Sequence, residues 1–180
     1  MARANAPLNE WTLSLLDLQP TDRVLEIGFG PGLAIQRAAH IAGFVAGIDR
    51  SEAMLRQART RNARAIDEGC VDLRLGDGTH SLPYEEAFFD KVYAVQVLHF
   101  LSDPLPFLCE VRRVLVPGGV AAMTMRAPEA LKETLVQTGV YTLYTADEIV
   151  HLFREAGLSK LYVERAHFES GMALCILGGW

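Results

Sequence analysis

A strand-like apolar run, Val24-Leu25-Glu26-Ile27, enters a turn with glycines at Gly28, Gly30 and Gly32, and this passage constrains the chain more than any other. Glycine loses more freedom on folding than any other residue, so alternating glycines imply positive φ angles or close approach of another group. Such a turn between a strand and a helix presents bare backbone N–H groups to a ligand. Acids follow at matching places. Asp49 closes the run Phe44 to Ile48, and Asp77 closes the run Val71 to Gly76. With Glu26, these acids at three successive strand ends outline a ligand of adenosine type.

The remaining pattern alternates strands and helices. Leu8 to Leu18 carries Leu8, Trp11, Leu15 and Leu18 on one helical face, and residues 1–20 read as an N-terminal helical cap. Strands are expected at Arg23 to Gly28, Phe44 to Asp49, Val71 to Leu75, Phe89 to Val97 and Val120 to Met125. Helices are expected over Leu33 to Ile41, over Glu52 to Ala65 after the N-cap Ser51, and from Asp103-Pro104 to about Val116, where Pro117-Gly118-Gly119 stops the last. A variable segment, 126–144, precedes a helix opened by the capping box Thr145-x-x-Glu148 and closed near Gly157. Leu161 to Phe168 and Met172 to Leu177 read as a terminal hairpin. Nearly unbroken apolar strands joined by helices indicate an α/β chain with a doubly wound, mostly parallel sheet and helices on both faces.

Composition narrows the partners. The 180 residues fit one domain, half of them are apolar, and a net charge of −5 argues against a broad nucleic-acid surface. The arginines Arg56, Arg59, Arg61 and Arg64 read as a solvated helix face. Three widely spaced cysteines, Cys70, Cys109 and Cys175, offer no zinc or redox pair and read as buried, reduced side chains. No apolar stretch has signal-peptide or membrane-span character, so a cytoplasmic location is the expectation. No carboxylate set suggests a metal.

Two cofactors compete for the glycine turn. A nicotinamide dinucleotide prefers G-x-G-x-x-G, and here Leu33 stands where the third glycine belongs. Glu26, two residues before Gly28, would oppose a pyrophosphate and suit a ligand end bearing an ammonium and a sulfonium. That description fits S-adenosylmethionine.

The ordered set of motifs resembles the class I S-adenosylmethionine-dependent methyltransferases, in particular small single-domain members, from about Val24 to Gly157. Val24 to Gly32 is similar to the family's first motif and Gly47-Ile48-Asp49-Arg50-Ser51-x-x-Met54 to its second. Gly76-Asp77-Gly78, Phe89-Asp90-Lys91-Val92 leading to Leu98-His99, and Arg113 to Gly119 are similar to the later ones. The resemblance implies a Rossmann-like seven-stranded sheet of order 3-2-1-4-5-7-6 with strand seven antiparallel. It also implies a cofactor site. Glu26 would lie near the methionine amino group, Gly28, Phe29 and Gly30 would bring backbone to the cofactor, and Asp49 would hold the ribose. Asp77 with Gly78 would meet the adenine amine, Arg50 and Met54 would flank the adenine, and Val95 and Gln96 would border the methionine moiety. Met54 fits equally well as helix core.

Strand four carries none of the motifs used for methylating planar amino groups or cytosine carbon, so the acceptor is open and a small molecule is expected. Trp11, His99, Arg126, Tyr141 and Tyr144 are candidates for its wall. His99 has two readings, a general base with a pKa near neutrality or a packing histidine, and Arg126 could pair with an anion. Alternatives to methyl transfer are a cofactor-binding regulatory module without activity and, on the weaker glycine match, an NAD(P)-binding oxidoreductase.

Overall fold

The structure is a computed structural model that describes residues 2–131 and 141–180, with side chains from Asn5 onward. Helix α1 (Ala2–Leu16) precedes β1 (Arg23–Ile27), α2 (Leu33–Ala38), β2 (Phe44–Asp49), α3 (Glu52–Arg61), α4 (Ala63–Asp67) and β3 (Val71–Leu75). Then come β4 (Phe89–Val95), α5 (Leu105–Val114), β5 (Leu115–Arg126), α6 (Ala146–Glu155), β6 (Ser159–Phe168) and β7 (Gly171–Gly179). The sheet order is β3-β2-β1-β4-β5-β7-β6, as the motifs imply, and β7 runs antiparallel to both β5 and β6.

Alternation along the strands divides the apolar side chains between two faces. Leu25, Ile27, Val92, Ala94 and Met123 face Phe107, Val111, Ile149 and Phe153 of α5 and α6. Val24, Val45, Tyr93 and Ala122 face Leu8, Leu16, Ile35, Ala38 and Leu55 of α1, α2 and α3. Helix α1 is also pinned by a polar tie: Thr12 Oγ1 donates to Leu8 O at 2.7 Å, which leaves the Thr124 hydroxyl to donate to Thr12 at 2.6 Å. Both threonines are buried, so this pairing satisfies groups that would otherwise be costly to bury.

Register matters most for the site. Ile27 of β1 lies beside Ile48 of β2 and Ala94 of β4, and Asp49 lies beside Leu75 of β3. The carboxyl ends of these four strands are therefore level, and the residues that follow them, Gly28, Arg50, Gly76 and Val95-Gln96, gather along one edge.

Several element boundaries differ from the sequence-based expectation, each for a local reason. Helix α1 begins at Ala2, six residues before Leu8, and runs through Pro7. Helix α2 ends a turn early because the His40 and Ile41 N–H groups donate to carbonyls three residues back, which tightens the chain out of α geometry. The expected single helix 52–65 breaks at Asn62, whose φ is −106°. Its buried side-chain amide donates to Gly32 O and Ala58 O at 3.1 and 2.9 Å, tying α3 to the glycine turn.

Helix α5 stops at Val114, and β5 opens at Leu115 opposite Phe89. The Pro117-Gly118-Gly119 turn is thus an irregularity within the strand's span. Strand β4 ends at Val95, because Gln96 has a φ of +62° that no strand continues. Only Cys175 of the three cysteines is buried; Cys109 is exposed on α5 and Cys70 is half-buried. The arginines of α3 and α4 are exposed, as expected for a solvated face, with Arg56 paired to Glu52 and Arg64 to Glu68. No helix among the described residues is long and apolar enough to cross a membrane.

Candidate functional site

Above the level strand ends lies a cavity of about 550 Å³, within the range of small-molecule sites. Its floor combines the glycine turn with the ends of β2, β3 and β4. Gly28 and Gly30 both have positive φ, +78° and +54°. A Cβ on Gly28 would stand 2.8 Å from Val97 Cγ2, whereas one on Gly30 would meet nothing within 4 Å. Gly28 is therefore demanded by the protein, and Gly30 leaves room beside the cavity. Gly32 serves a third purpose: its Cβ would stand 2.7 Å from Ala58 Cβ, so its bareness lets α3 close against the start of α2.

Asp49 organises the turn. Its Oδ2 accepts from Gly30 N and its Oδ1 from Ser51 N, both at 2.8 Å. Each carboxylate oxygen keeps a further lone pair for a ligand hydroxyl, as a ribose diol requires. Ser51 in turn caps α3, its Oγ accepting from Met54 N at 3.4 Å. Asp77 Oδ1 accepts from the Thr79 hydroxyl at 2.6 Å and from Thr79 N at 3.0 Å. Chiefly that hydroxyl bond holds the Asp77 carboxyl below its usual pKa, so it stays ionised and able to accept from an amine. Gly78 fits tightly, since a Cβ there would lie 2.9 Å from Ile48 Cγ2.

Of the residues the sequence singles out, Gly28, Gly30, Asp49, Arg50, Asp77, Gly78, Val95, Gln96, His99, Arg126 and Tyr141 line this cavity. Arg50 reaches over Phe100, with its guanidinium carbon 5.7 Å from the ring centre. The left-handed Gln96 turns its side chain so that Oε1 accepts from Arg126 N at 3.0 Å, joining the ends of β4 and β5. Tyr141 stands edge-on to His99, with ring centres 5.9 Å apart. Residues 132–140 of the expected variable segment lie outside the described residues.

Five other candidates stand away from the wall. Trp11 packs edge-on against Phe168 at 5.7 Å on the α1 side of the sheet. Tyr144 is buried, and its hydroxyl donates to Leu101 O at 2.6 Å. Phe29 is buried with Gly47 beneath its ring, so only its backbone belongs to the turn. Met54 is half-buried on α3, in keeping with its reading as helix core. Glu26 is 2% exposed and receives a hydrogen bond from Tyr93 Oη at 2.9 Å. Burial above all, with the Asp49 charge adding to it and the Tyr93 bond opposing it, pushes the Glu26 carboxyl up to about 8. Burial thus favours the neutral form of the Glu26 carboxyl, which lies two residues before the glycine turn and away from the cavity lining.

Sequence reasoning missed Ile27, Ile48, Phe100 and Asn5 of the cavity wall. The first two were within reach, since each is the last apolar residue before a position the sequence singles out. Asn5 was hidden because its helix was started after Pro7.

The cavity's own chemistry suits an adenosine-bearing ligand: its lining combines the carboxylates of Asp49 and Asp77, the bare glycines Gly30 and Gly78, and apolar Ile27, Ile48 and Val95. Among the described residues no group of three or more His, Cys, Asp or Glu could hold a metal ion.

Comparison with known proteins agrees with this chemistry. A family profile described as a methyltransferase domain matches residues 25–123. The chain is 38% identical over 177 residues to the uncharacterized methyltransferase YdaC of Bacillus subtilis, covering 97% of this chain and 92% of that protein. It is 32% identical over 168 residues to a 27-O-demethylrifamycin SV methyltransferase of Amycolatopsis mediterranei, covering 88% of this chain and 61% of that one. In fold it superposes on a phosphoethanolamine N-methyltransferase 2 of Haemonchus contortus in complex with S-adenosyl-L-methionine, with a TM-score of 0.82, 19% identity and coverage of 97% of this chain and 52% of that one.

Proposed function

Because the chain belongs to the class I S-adenosylmethionine-dependent methyltransferases, we propose that it transfers a methyl group from that cofactor to a small-molecule acceptor bound in the same cavity. One observation carries the reading. The cavity lining combines the acids and glycines Gly30, Asp49 and Asp77 with the aromatic and basic side chains His99, Phe100, Arg126 and Tyr141.

In this proposal Asp49 accepts from the ribose hydroxyls while its bonds to Gly30 N and Ser51 N hold it in place. Asp77 accepts from the adenine amine, the Gly28 and Gly30 backbone lies against the methionine part, and Arg50 covers one face of the base. Val95 and Gln96 separate the cofactor from the acceptor. The bound cofactor supplies an activated methyl group, so the protein's task is to hold a nucleophile about 3 Å from it and to exclude water. Leu131 and Tyr141 face the cavity from either end of the segment that follows β5, and they would wall in the acceptor.

Incubating the protein with labelled S-adenosylmethionine and a size-fractionated cell extract tests the assignment. Label entering the small-molecule fraction supports it. Label entering only protein or nucleic acid, or none at all, would contradict it.

A further inference from the structure

His99 stands at the join between two stretches of chain that border the cavity. It is the middle residue of a single 3₁₀ turn, Leu98–Phe100, which follows the end of β4. That turn uses its own N–H groups, with Phe100 N donating to Val97 O at 3.0 Å and Leu101 N to Leu98 O at 3.1 Å. The chain that leads into α6 docks against it at Thr142. Thr142 N donates to His99 O at 2.8 Å, and the Thr142 carbonyl oxygen lies 3.4 Å from His99 Nδ1. A carbonyl can only accept, so Nδ1 carries the proton, and the ring supplies the donor that the backbone of the turn has already used. Two residues further along both stretches the Tyr144 hydroxyl donates to Leu101 O at 2.6 Å, which fastens them a second time.

This clasp fixes the backbone next to Tyr141. Tyr141 lines the cavity, edge-on to His99 and with its ring centre 5.1 Å from that of Phe100, another lining residue. The other ring nitrogen of His99 has no comparable task. His99 is 1% exposed, and its Nε2 is buried without a partner among the described residues, whereas a base has to reach the proton that it takes. Resting on the methyltransferase reading, we propose that His99 is a positioning residue for the acceptor: through Thr142 it holds Tyr141 in the cavity wall, and it takes no proton in the reaction. Acceptor binding then depends on the Nδ1 bond and not on Nε2.

The test uses the full chain with labelled S-adenosylmethionine and, as acceptor source, a dilution series of the small-molecule fraction of cell extract. His99→Ala should raise the half-saturating concentration of that fraction about tenfold and leave the saturated rate within about threefold. His99→Asn keeps an amide donor close to the place of Nδ1 and should recover most of the loss, whereas His99→Gln carries its amide out toward the place of Nε2 and should not. Tyr141→Ala should raise the same concentration, and combining it with His99→Ala should add little. One measurement needs no acceptor. With S-adenosylhomocysteine bound, amide hydrogen exchange at Thr142 should be about tenfold faster in His99→Ala and close to the parent rate in His99→Asn. If His99→Ala does not fold, the contrast between the Asn and Gln variants decides. A saturated rate lowered at unchanged half-saturation, equal losses in the Asn and Gln variants, a loss confined to cofactor affinity or an unmoved Thr142 exchange rate would overturn the proposal. Absence of label from the small-molecule fraction with the parent chain would refute the methyltransferase reading itself; label transfer by the parent with no rescue by His99→Asn refutes the positioning role alone.

Discussion

Gly30 N donates to Asp49 Oδ2 at 2.8 Å, so the first glycine turn and the end of the second strand are one unit. A carboxylate that already anchors two backbone N–H groups is held rigidly, and a ligand that bonds to it incurs little ordering cost. The same bond makes the loop and the acid hard to separate by mutation.

Gly30 and Gly32 should respond differently to alanine. At Gly30 a Cβ meets no atom within 4 Å, although φ is +54°. Gly30→Ala should cost about 1–2 kcal/mol of stability from strain and lower cofactor affinity more than tenfold by filling the space beside the ligand. At Gly32 a Cβ would stand 2.7 Å from both Ala58 Cβ and Asn62 Nδ2, so Gly32→Ala should cost about 2–4 kcal/mol through strain and clash together. Urea unfolding and calorimetric titration of the two variants check the contrast.

The buried Glu26 gives stability a pH slope. Its folded-state pKa of about 8 exceeds the ordinary 4.5, so between those values the native state binds more protons than the unfolded one. Its contribution is present in full below about 4.5 and is lost as pH rises through 8. Glu26→Gln should therefore flatten the curve, so that the difference between variant and parent changes by on the order of 3 kcal/mol between pH 5 and pH 8.5. Denaturant unfolding of both proteins across that window measures it, and parallel curves would refute the assignment.

Tyr144 tests the distinction between wall and core. Its hydroxyl is committed to Leu101 O, so Tyr144→Phe should lower stability by about 1 kcal/mol and leave the KM for acceptor unchanged. Tyr141→Ala, by contrast, should raise that KM, because Tyr141 faces the cavity. Steady-state kinetics on the two variants separates the roles.

The strands and the glycine turn were legible because both signals are local: apolar runs of strand length, then residues that tolerate positive φ. Asp49 and Asp77 could be placed because level register turns strand-end positions into neighbours. Other features depend on tertiary contact. Asn62 breaks its helix to reach Gly32 O, which no helical periodicity reveals. Trp11 and Tyr144, read as substrate wall from their places in the N-terminal helix and in the segment 126–144, pack against Phe168 and bond to Leu101 O. Glu26 could be seen as an acid near the loop, but its neutrality comes from burial beside Tyr93. Leu115 joins the sheet ahead of Pro117 because Phe89 lies opposite, a pairing separated by many residues in the chain.

The central claim is that the Asp49-anchored turn holds S-adenosylmethionine, and calorimetric titration with S-adenosylhomocysteine tests it most directly. The account predicts one site per chain with micromolar affinity, weakened at least a hundredfold in Asp49→Ala while that variant still unfolds cooperatively. Undiminished binding in Asp49→Ala, or a response to NAD(H) in place of S-adenosylhomocysteine, would contradict it.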